Sequence, residues 1–370
     1  MDHLARQDEY RRSGVDYDVL DGVKREAIAQ AAATAPLLAA AGGREFALSR
    51  GSSAYVFGIG DATFALVVEG LGTKSAIAAE YQELTGFCRF ADIARDAVGA
   101  IVNDVVSVGA LPLVVTAYFA TGDAAWYSSR ERALDLLNGW RAACELAGAV
   151  WGGGESPALP GIVRGDAIEL AGSSLGLVPA GRQPVFGDDI RPGDRIVLLP
   201  SSGLHANGAS LARRVAAGLR GGLLTKLPSG RPLGDALLAP SKIYVSFVRE
   251  LLESGVVPSF LNGITGHGFL KIMRGNADVR YEISKLPHVP EVLAFLVEQL
   301  ELEPAEAYST LNMGAGYVVI VRPDDVSEVL RVAHETGHDA LVAGQVTSGR
   351  KSVAIGPLGV EYAGDDYQVS

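Results

Sequence analysis

The chain has 370 residues, 48% of them hydrophobic, with a formal net charge of -11 and a pI near 5.1. That length supports two domains, each burying a core of its own, and the acidity argues against nucleic acid or an anionic membrane as the main partner, since both reward clustered Lys and Arg. No run approaches the ~18 apolar residues of a membrane span, the N-terminus is polar (Asp2, Arg6, Asp8, Glu9, Arg11, Arg12), and the two cysteines, Cys88 and Cys144, read as small buried thiols in helices; a cytoplasmic, reducing location is expected.

Residues 1–45 read as a polar arm followed by an Ala-rich helix over Val23–Ala41, stopped by Gly42-Gly43. Phe64–Val68 is a short apolar run suited to a buried strand, and Ser75–Gly86 reads as a helix opening just past a Gly-rich turn. The spacing of Ile93, Ala97, Val98, Ile101, Val102, Val105 and Val106 predicts an amphipathic helix, with Asp92, Asp96 and Asn103 near its polar face and Asp104 one residue round. Leu113–Phe119 is the next strand, Ser129–Ala147 a long helix and Ala167–Val178 another strand. Gly and Pro crowd Ala180–Asp194, which marks a boundary between domains over 46–181 and 190–350. The second half repeats the style of the first: a strand at Arg195–Leu199, the loop Pro200–Gly208, a helix, a further helix at Ile243–Ser254 and a strand at Tyr317–Val321. The alternation implies two similar α/β lobes, with no short-period repeat or low-complexity tract.

Three segments place acidic side chains at the ends of separate elements beside glycines that allow backbone amides to approach phosphate. In Glu69-Gly70-Leu71-Gly72-Thr73-Lys74, amides at a helix start could meet a phosphate, Lys74 supplies charge and Glu69 could reach magnesium; the spacing is not that of a P-loop. An ordinary glycine turn is the alternative. Asn103 and Asp104 sit late on a largely apolar helix, where a lone buried carboxylate costs several kcal/mol; a metal or nucleotide satisfies them, or a helix-to-turn hydrogen-bond network does, and Asp96 on the same helix poses the same choice. Gly152-Gly153-Gly154-Glu155 carries enough glycine to suggest a pressed ligand. Asp61 is a further metal candidate or a turn cap, and His205 and Asn207 sit at a helix start suited to an anion, where His205 could equally be an exposed loop residue. Thr265-Gly-His267-Gly268 is a second glycine-flanked polar turn. There is no paired CxxC, and the ordered glycine and acidic segments leave magnesium-assisted phosphoryl chemistry the best-supported class.

Taken together, these segments resemble phosphoribosylformylglycinamidine cyclo-ligase, the aminoimidazole ribonucleotide synthetase of purine biosynthesis. The resemblance runs from Ser13-Gly-Val-Asp-Tyr-Asp18 through Gly70-x-Gly-Thr-Lys74, Asn103-Asp104 to Ala120-Thr-Gly122, and Gly153-Gly-Glu155; it continues through Ser201–Gly208, Leu238–Val245, Ile264-Thr-Gly266 and Asn312–Tyr317. It implies two α/β lobes, a homodimer whose N-terminal sheets join into a barrel, ATP and Mg2+ as cofactors, and a small ribonucleotide substrate. On that likeness Glu69, Asp96, Asp104 and Glu155, with Asp61 as a further candidate, would hold metal and triphosphate. Lys74, Asp104 and His205 would be catalytic, and Gly70, Gly72, Thr73, Lys74, Asn103, Gly153, Gly154 and Asn207 would line the nucleotide and substrate. Three departures stand out: Glu69 replaces the family's Asp, Ala158 stands where a second Glu is usual, and Gly263-Ile-Thr-Gly-His267-Gly268 stands for His-Ile-Thr-Gly-Gly-Gly. Asp61, in Gly58-Ile-Gly-Asp61, Ala158 and the altered Thr-Gly-His turn keep open a paralogous ATP-dependent kinase or ligase, of the thiamine-monophosphate kinase or selenophosphate synthetase type; a non-catalytic nucleotide-binding protein is a third reading, against which the acidic set of Asp61, Glu69, Asp96, Asp104 and Glu155 argues.

Overall fold

The computed structural model describes residues 17–367; of the arm motif beginning at Ser13, residues 13–16 lie outside the described residues. Two mixed sheets, each packed against helices, form the two lobes. The first has the strand order β1 (Gly43–Glu45), β2 (Tyr55–Ile59), β3 (Ala62–Gly70), β6 (Ile168–Leu177), β4 (Leu111–Thr121), β5 (Val150–Glu155). All its neighbours are antiparallel except β4 and β5. The second runs β13 (Val360–Ala363), β12 (Ser352–Ile355), β9 (Arg280–Ile283), β11 (Leu341–Thr347), β7 (Arg195–Pro200), β10 (Ala315–Val321), β8 (Phe260–Gly263), again with a single parallel pair, β9 and β12.

Periodicity explains the layering. Along β6 buried and half-buried positions alternate, as a strand with one covered face requires. The cover is the helix Phe90–Val106, whose Ile93, Ala97, Val98, Ile101, Val102, Val105 and Val106 are all buried. By contrast, every residue of β10 is buried, which fits its place between β7 and β8 with a strand on each side and its apolar run. The Ala-rich segment is split into helices Tyr17–Ala32 and Ala35–Ala40, because Pro36 sits in the first turn of the second and cannot continue the first.

The lobes are stitched by groups from the Phe90–Val106 helix. Asn103 donates from Nδ2 to the Lys242 carbonyl (2.9 Å) and accepts at Oδ1 from the Tyr244 amide (2.9 Å). Asp96 accepts from the Ser241 amide (2.8 Å) and from the Ser241 hydroxyl. The segment Ser241–Tyr244 thus lies against one helix of the other lobe, held by side chains that read its backbone.

Candidate active site

A cavity of about 460 Å³ opens along this seam. From the first lobe its wall includes Glu69 at the end of β3 and Asn103 and Asp104 from the helix; the second lobe contributes His205, Asn207 and Lys271. Glu69 and Asp104 lie close enough to share a hydrogen bond, in which one carboxyl must be the donor. Burial and then the Asp104 charge push Glu69 up to about 7, against the pull of Lys271 and Arg274. Burial likewise raises Asp104, opposed by Arg274 and Lys271. The opposing cations come from the 3-10 segment Gly268–Arg274. Arg274 is a strut to the first lobe, donating to the Gly51 carbonyl (3.0 Å), the Ser52 carbonyl (2.7 Å) and the Ser53 hydroxyl (3.0 Å). Lys271 is buried, and desolvation and Arg274 bring its ammonium down to about 7 while Asp104 and Glu69 oppose that fall.

Lys74 and Asp96 stand behind this wall. Both side chains are fully buried, with Nζ to Oδ2 at 2.6 Å. The Lys74 ammonium also donates to the carbonyls of His205 (2.9 Å) and Ala239 (3.3 Å). Burial raises the Asp96 carboxyl, and Lys74 and the Ser241 donors pull it back. Neither residue lines the cavity; Asp96 and Asn103 both make the hydrogen bonds to Ser241–Tyr244 given above, and Asn103 lines the cavity as well.

The loop after β7 is shaped by Asn312, which accepts at Oδ1 from the Ser201 hydroxyl (2.8 Å) and the Gly314 amide (3.0 Å) and donates to the Gly203 carbonyl (2.8 Å). It holds His205 at φ 60, a left-handed geometry uncommon for a side-chain-bearing residue. The His205 Nε2 accepts from the Ser202 amide (3.0 Å), so the ring is neutral with its proton on Nδ1. Burial, then Lys74, Lys242 and Arg95, bring it down to about 3.

The glycine loop at 70–74 borders this region. Gly72 adopts φ +71, and its amide donates to Glu169 Oε1 (3.1 Å), so a carboxylate of β6 already occupies the anion-receptive end of the turn. The Thr73 hydroxyl pairs with that of Ser210 across the lobes (2.8 Å). Gly70 approaches Glu169 too: a β-carbon there would lie 3.2 Å from Oε1.

Asp61 and the Gly153–Glu155 group lie elsewhere. Asp61 is exposed in the turn between β2 and β3. Glu69 pairs with Gly172, which pairs with Ala117, which pairs with Gly154, so the glycine run is three strands from Glu69, or about 14 Å at ordinary strand spacing. Glu155 is exposed on that outermost strand. The glycine requirement there arises from packing: a β-carbon on Gly154 would lie 1.9 Å from the Ala117 carbonyl oxygen, at the irregularity in the β4–β5 register.

Sequence reading missed Glu169, Ser53, Lys271 and Arg274. Glu169 lies in a strand whose alternation marks it only as half-buried, and Lys271 and Arg274 in a segment with no motif of its own; the polar turn Thr265–Gly268 just before them was the available signal.

Two family profiles cover most of the chain: "AIR synthase related protein, N-terminal domain" over residues 51–178 and "AIR synthase related protein, C-terminal domain" over residues 191–356. The phosphoribosylformylglycinamidine cyclo-ligase of Methanothermobacter thermautotrophicus is 33% identical over 331 residues, covering 89% of this chain and 92% of that protein. The chain belongs to the AIR synthase-related family. The namesake enzyme of Bacillus licheniformis is 34% identical over 298 residues, 79% of this chain and 82% of that protein. Among solved structures, hydrogenase maturation protein HypE in complex with ATP matches with a TM-score of 0.59 at 18% identity, covering 81% of this chain and 83% of the other. At that identity the likeness speaks for the shared two-lobe fold, which the two mixed sheets display.

Proposed function

We propose that this chain closes the imidazole ring of aminoimidazole ribonucleotide, converting formylglycinamidine ribonucleotide with ATP and releasing ADP and phosphate. The observation that carries this is the 33% identity to a cyclo-ligase over 89% of this chain and 92% of that enzyme. An amide oxygen leaves poorly; phosphorylating it makes attack by the amidine nitrogen and departure as phosphate feasible, and the protein's task is chiefly to position the reactants. Glu69 and Asp104 suit a hard divalent cation, because two adjacent carboxyls that raise each other's proton affinity gain by exchanging the proton for a metal. They would hold Mg2+, with phosphate and water completing its shell, and the ion would offset charge on the transferred group. Lys74 and Asp96 act here as positioning residues that fix the His205 loop, and neutral His205 and Asn207 face the substrate. The outward face of the first sheet carries exposed Leu66 and Val68 with Tyr118 in the adjacent row, which supports a homodimer joined through these sheets. Glu155, far from Glu69 within one chain, would serve a ligand long enough to cross the sheet.

Purified protein supplied with formylglycinamidine ribonucleotide, ATP and Mg2+ is expected to release ADP and aminoimidazole ribonucleotide in equal amounts. ATP turnover that requires a different acceptor would instead establish a paralogous kinase or ligase.

A further inference from the structure

Of the cavity's cations, Lys271 is distinguished by what it lacks. Its residue is 8% exposed and its side chain lines the cavity, yet its ammonium makes no ion pair and no hydrogen bond with any described residue. Arg274, one turn on, has its donors committed to Gly51, Ser52 and Ser53. The Lys271 backbone is pinned as well, its carbonyl accepting from Asn262 Nδ2 (3.0 Å), and Asn262 Oδ1 in turn accepts from the Ser53 hydroxyl (2.9 Å). The lysine is therefore held at its base and left without a partner at its tip. An ammonium removed from water without a counter-ion is costly. The nearby Glu69 and Asp104 favour its charged form but offset the burial only in part, since neither pairs with it directly, and their charges also favour a cation bound on their side of the cavity. A group that brings a cation to the carboxylates and offers anionic oxygen to the lysine satisfies both halves of the wall, and a phosphate does this.

We propose that Lys271 binds a phosphate group of the ligand in this cavity, its amino group donating directly to a phosphate oxygen. This deepens the reading of the cavity as the substrate site and rests on that reading, but not on the identity of the product. Two sources share the chemistry: the triphosphate of the nucleotide and the 5′-phosphate of the ribonucleotide.

The test measures binding by calorimetry for the wild type, Lys271→Met and Lys271→Arg, with three probes. These are a non-hydrolysable ATP analogue with Mg2+, formylglycinamidine ribonucleotide, and the corresponding nucleoside lacking the 5′-phosphate. A charge-assisted hydrogen bond of ordinary strength predicts that Lys271→Met weakens one phosphorylated probe by about 10- to 100-fold, while Lys271→Arg retains most of the affinity. Loss confined to the ATP analogue assigns the triphosphate; loss confined to the ribonucleotide, with the nucleoside unaffected, assigns the 5′-phosphate. Lys271→Met is also expected to unfold at a denaturant concentration no lower than the wild type, because a desolvated charge is removed, so a binding loss cannot be ascribed to misfolding. Wild-type affinity of Lys271→Met for both phosphorylated probes overturns the proposal, as does equal loss for the nucleoside or failure of the wild type to bind either phosphorylated probe. A protein that fails the ring-closure assay yet shows the Lys271-dependent loss removes the proposed reaction and leaves this contact standing.

Discussion

Replacing Lys74 by Met separates two roles for a lysine next to a glycine turn. The structure shows its ammonium fully buried, 2.6 Å from an equally buried Asp96 carboxylate, and donating to the His205 and Ala239 carbonyls. Lys74→Met keeps the stem's volume but leaves Asp96 buried with only the Ser241 donors, and removing one partner of such a pair costs about 3–5 kcal/mol. The double variant Lys74→Met/Asp96→Leu replaces the pair with apolar side chains, which is often near neutral, so it is expected to recover most of that loss. The double-mutant cycle would then show a coupling of several kcal/mol. Urea unfolding of the four proteins, followed by tryptophan fluorescence, gives these values, with titration of a Mg2+-bound ATP analogue alongside. If Lys74→Met unfolds within ~1 kcal/mol of the wild type, small for any buried-charge effect, yet loses nucleotide affinity, the ammonium contacts phosphate and the structural assignment is wrong.

Asp104→Asn is expected to leave the unfolding transition nearly unchanged while lowering turnover by orders of magnitude; comparable turnover in that variant removes Asp104 from the site. Gly154→Ala, which forces a β-carbon onto the Ala117 carbonyl, should destabilise by more than ~2 kcal/mol through loss of the β4–β5 edge, whereas Gly153→Ala, with open space around it, should cost about 1 kcal/mol in backbone strain alone; comparing their unfolding midpoints tests whether packing explains the run. His338 is held down to about 4 by burial, then by Lys242, with its Nδ1 lacking a hydrogen-bond partner among the described residues. The unfolded chain takes up a proton below about pH 6.5 that the folded ring refuses until about 4, so this stability is present above 6.5 and is lost as pH falls; the wild type should lose roughly 1.4 kcal/mol more than His338→Phe between pH 7.5 and 5.5 in urea unfolding, and parallel pH profiles would contradict this. Val68→Asp places a charge on the exposed face of the first sheet and is expected to yield monomers in sedimentation experiments if that face joins two copies.

Much of the architecture was legible because it depends on local pattern. The spacing from Ile93 to Val106 describes a helix with one buried face, and Gly86 ends the preceding helix in a left-handed cap as a glycine there should. The convergence of Glu69 with Asp104 was legible only through the family likeness, since no spacing rule brings the end of β3 beside the end of a later helix. Asp96 illustrates what local reading leaves open: from sequence it is a carboxylate on a polar stripe, and only the tertiary path of Lys74 and Ser241 decides that it is clamped between lobes. Gly154 is similar, because the carbonyl that forbids a side chain there belongs to Ala117 on a neighbouring strand. Lys271 had only the glycine-flanked turn Thr265–Gly268 before it as a signal, since a lysine in an apolar stretch looks like a surface residue until the first lobe closes over it.

The central claim is that Glu69 and Asp104 form the pole of the cavity at which the nucleotide's metal is held. A crystal of the protein grown with Mn2+ in place of Mg2+ and a non-hydrolysable ATP analogue tests it directly through the anomalous signal of the metal. The account predicts a peak bridged by the Glu69 and Asp104 carboxylates and a phosphate oxygen; a peak at Asp61 or Glu155, with Glu69 and Asp104 still bonded to each other, would contradict it.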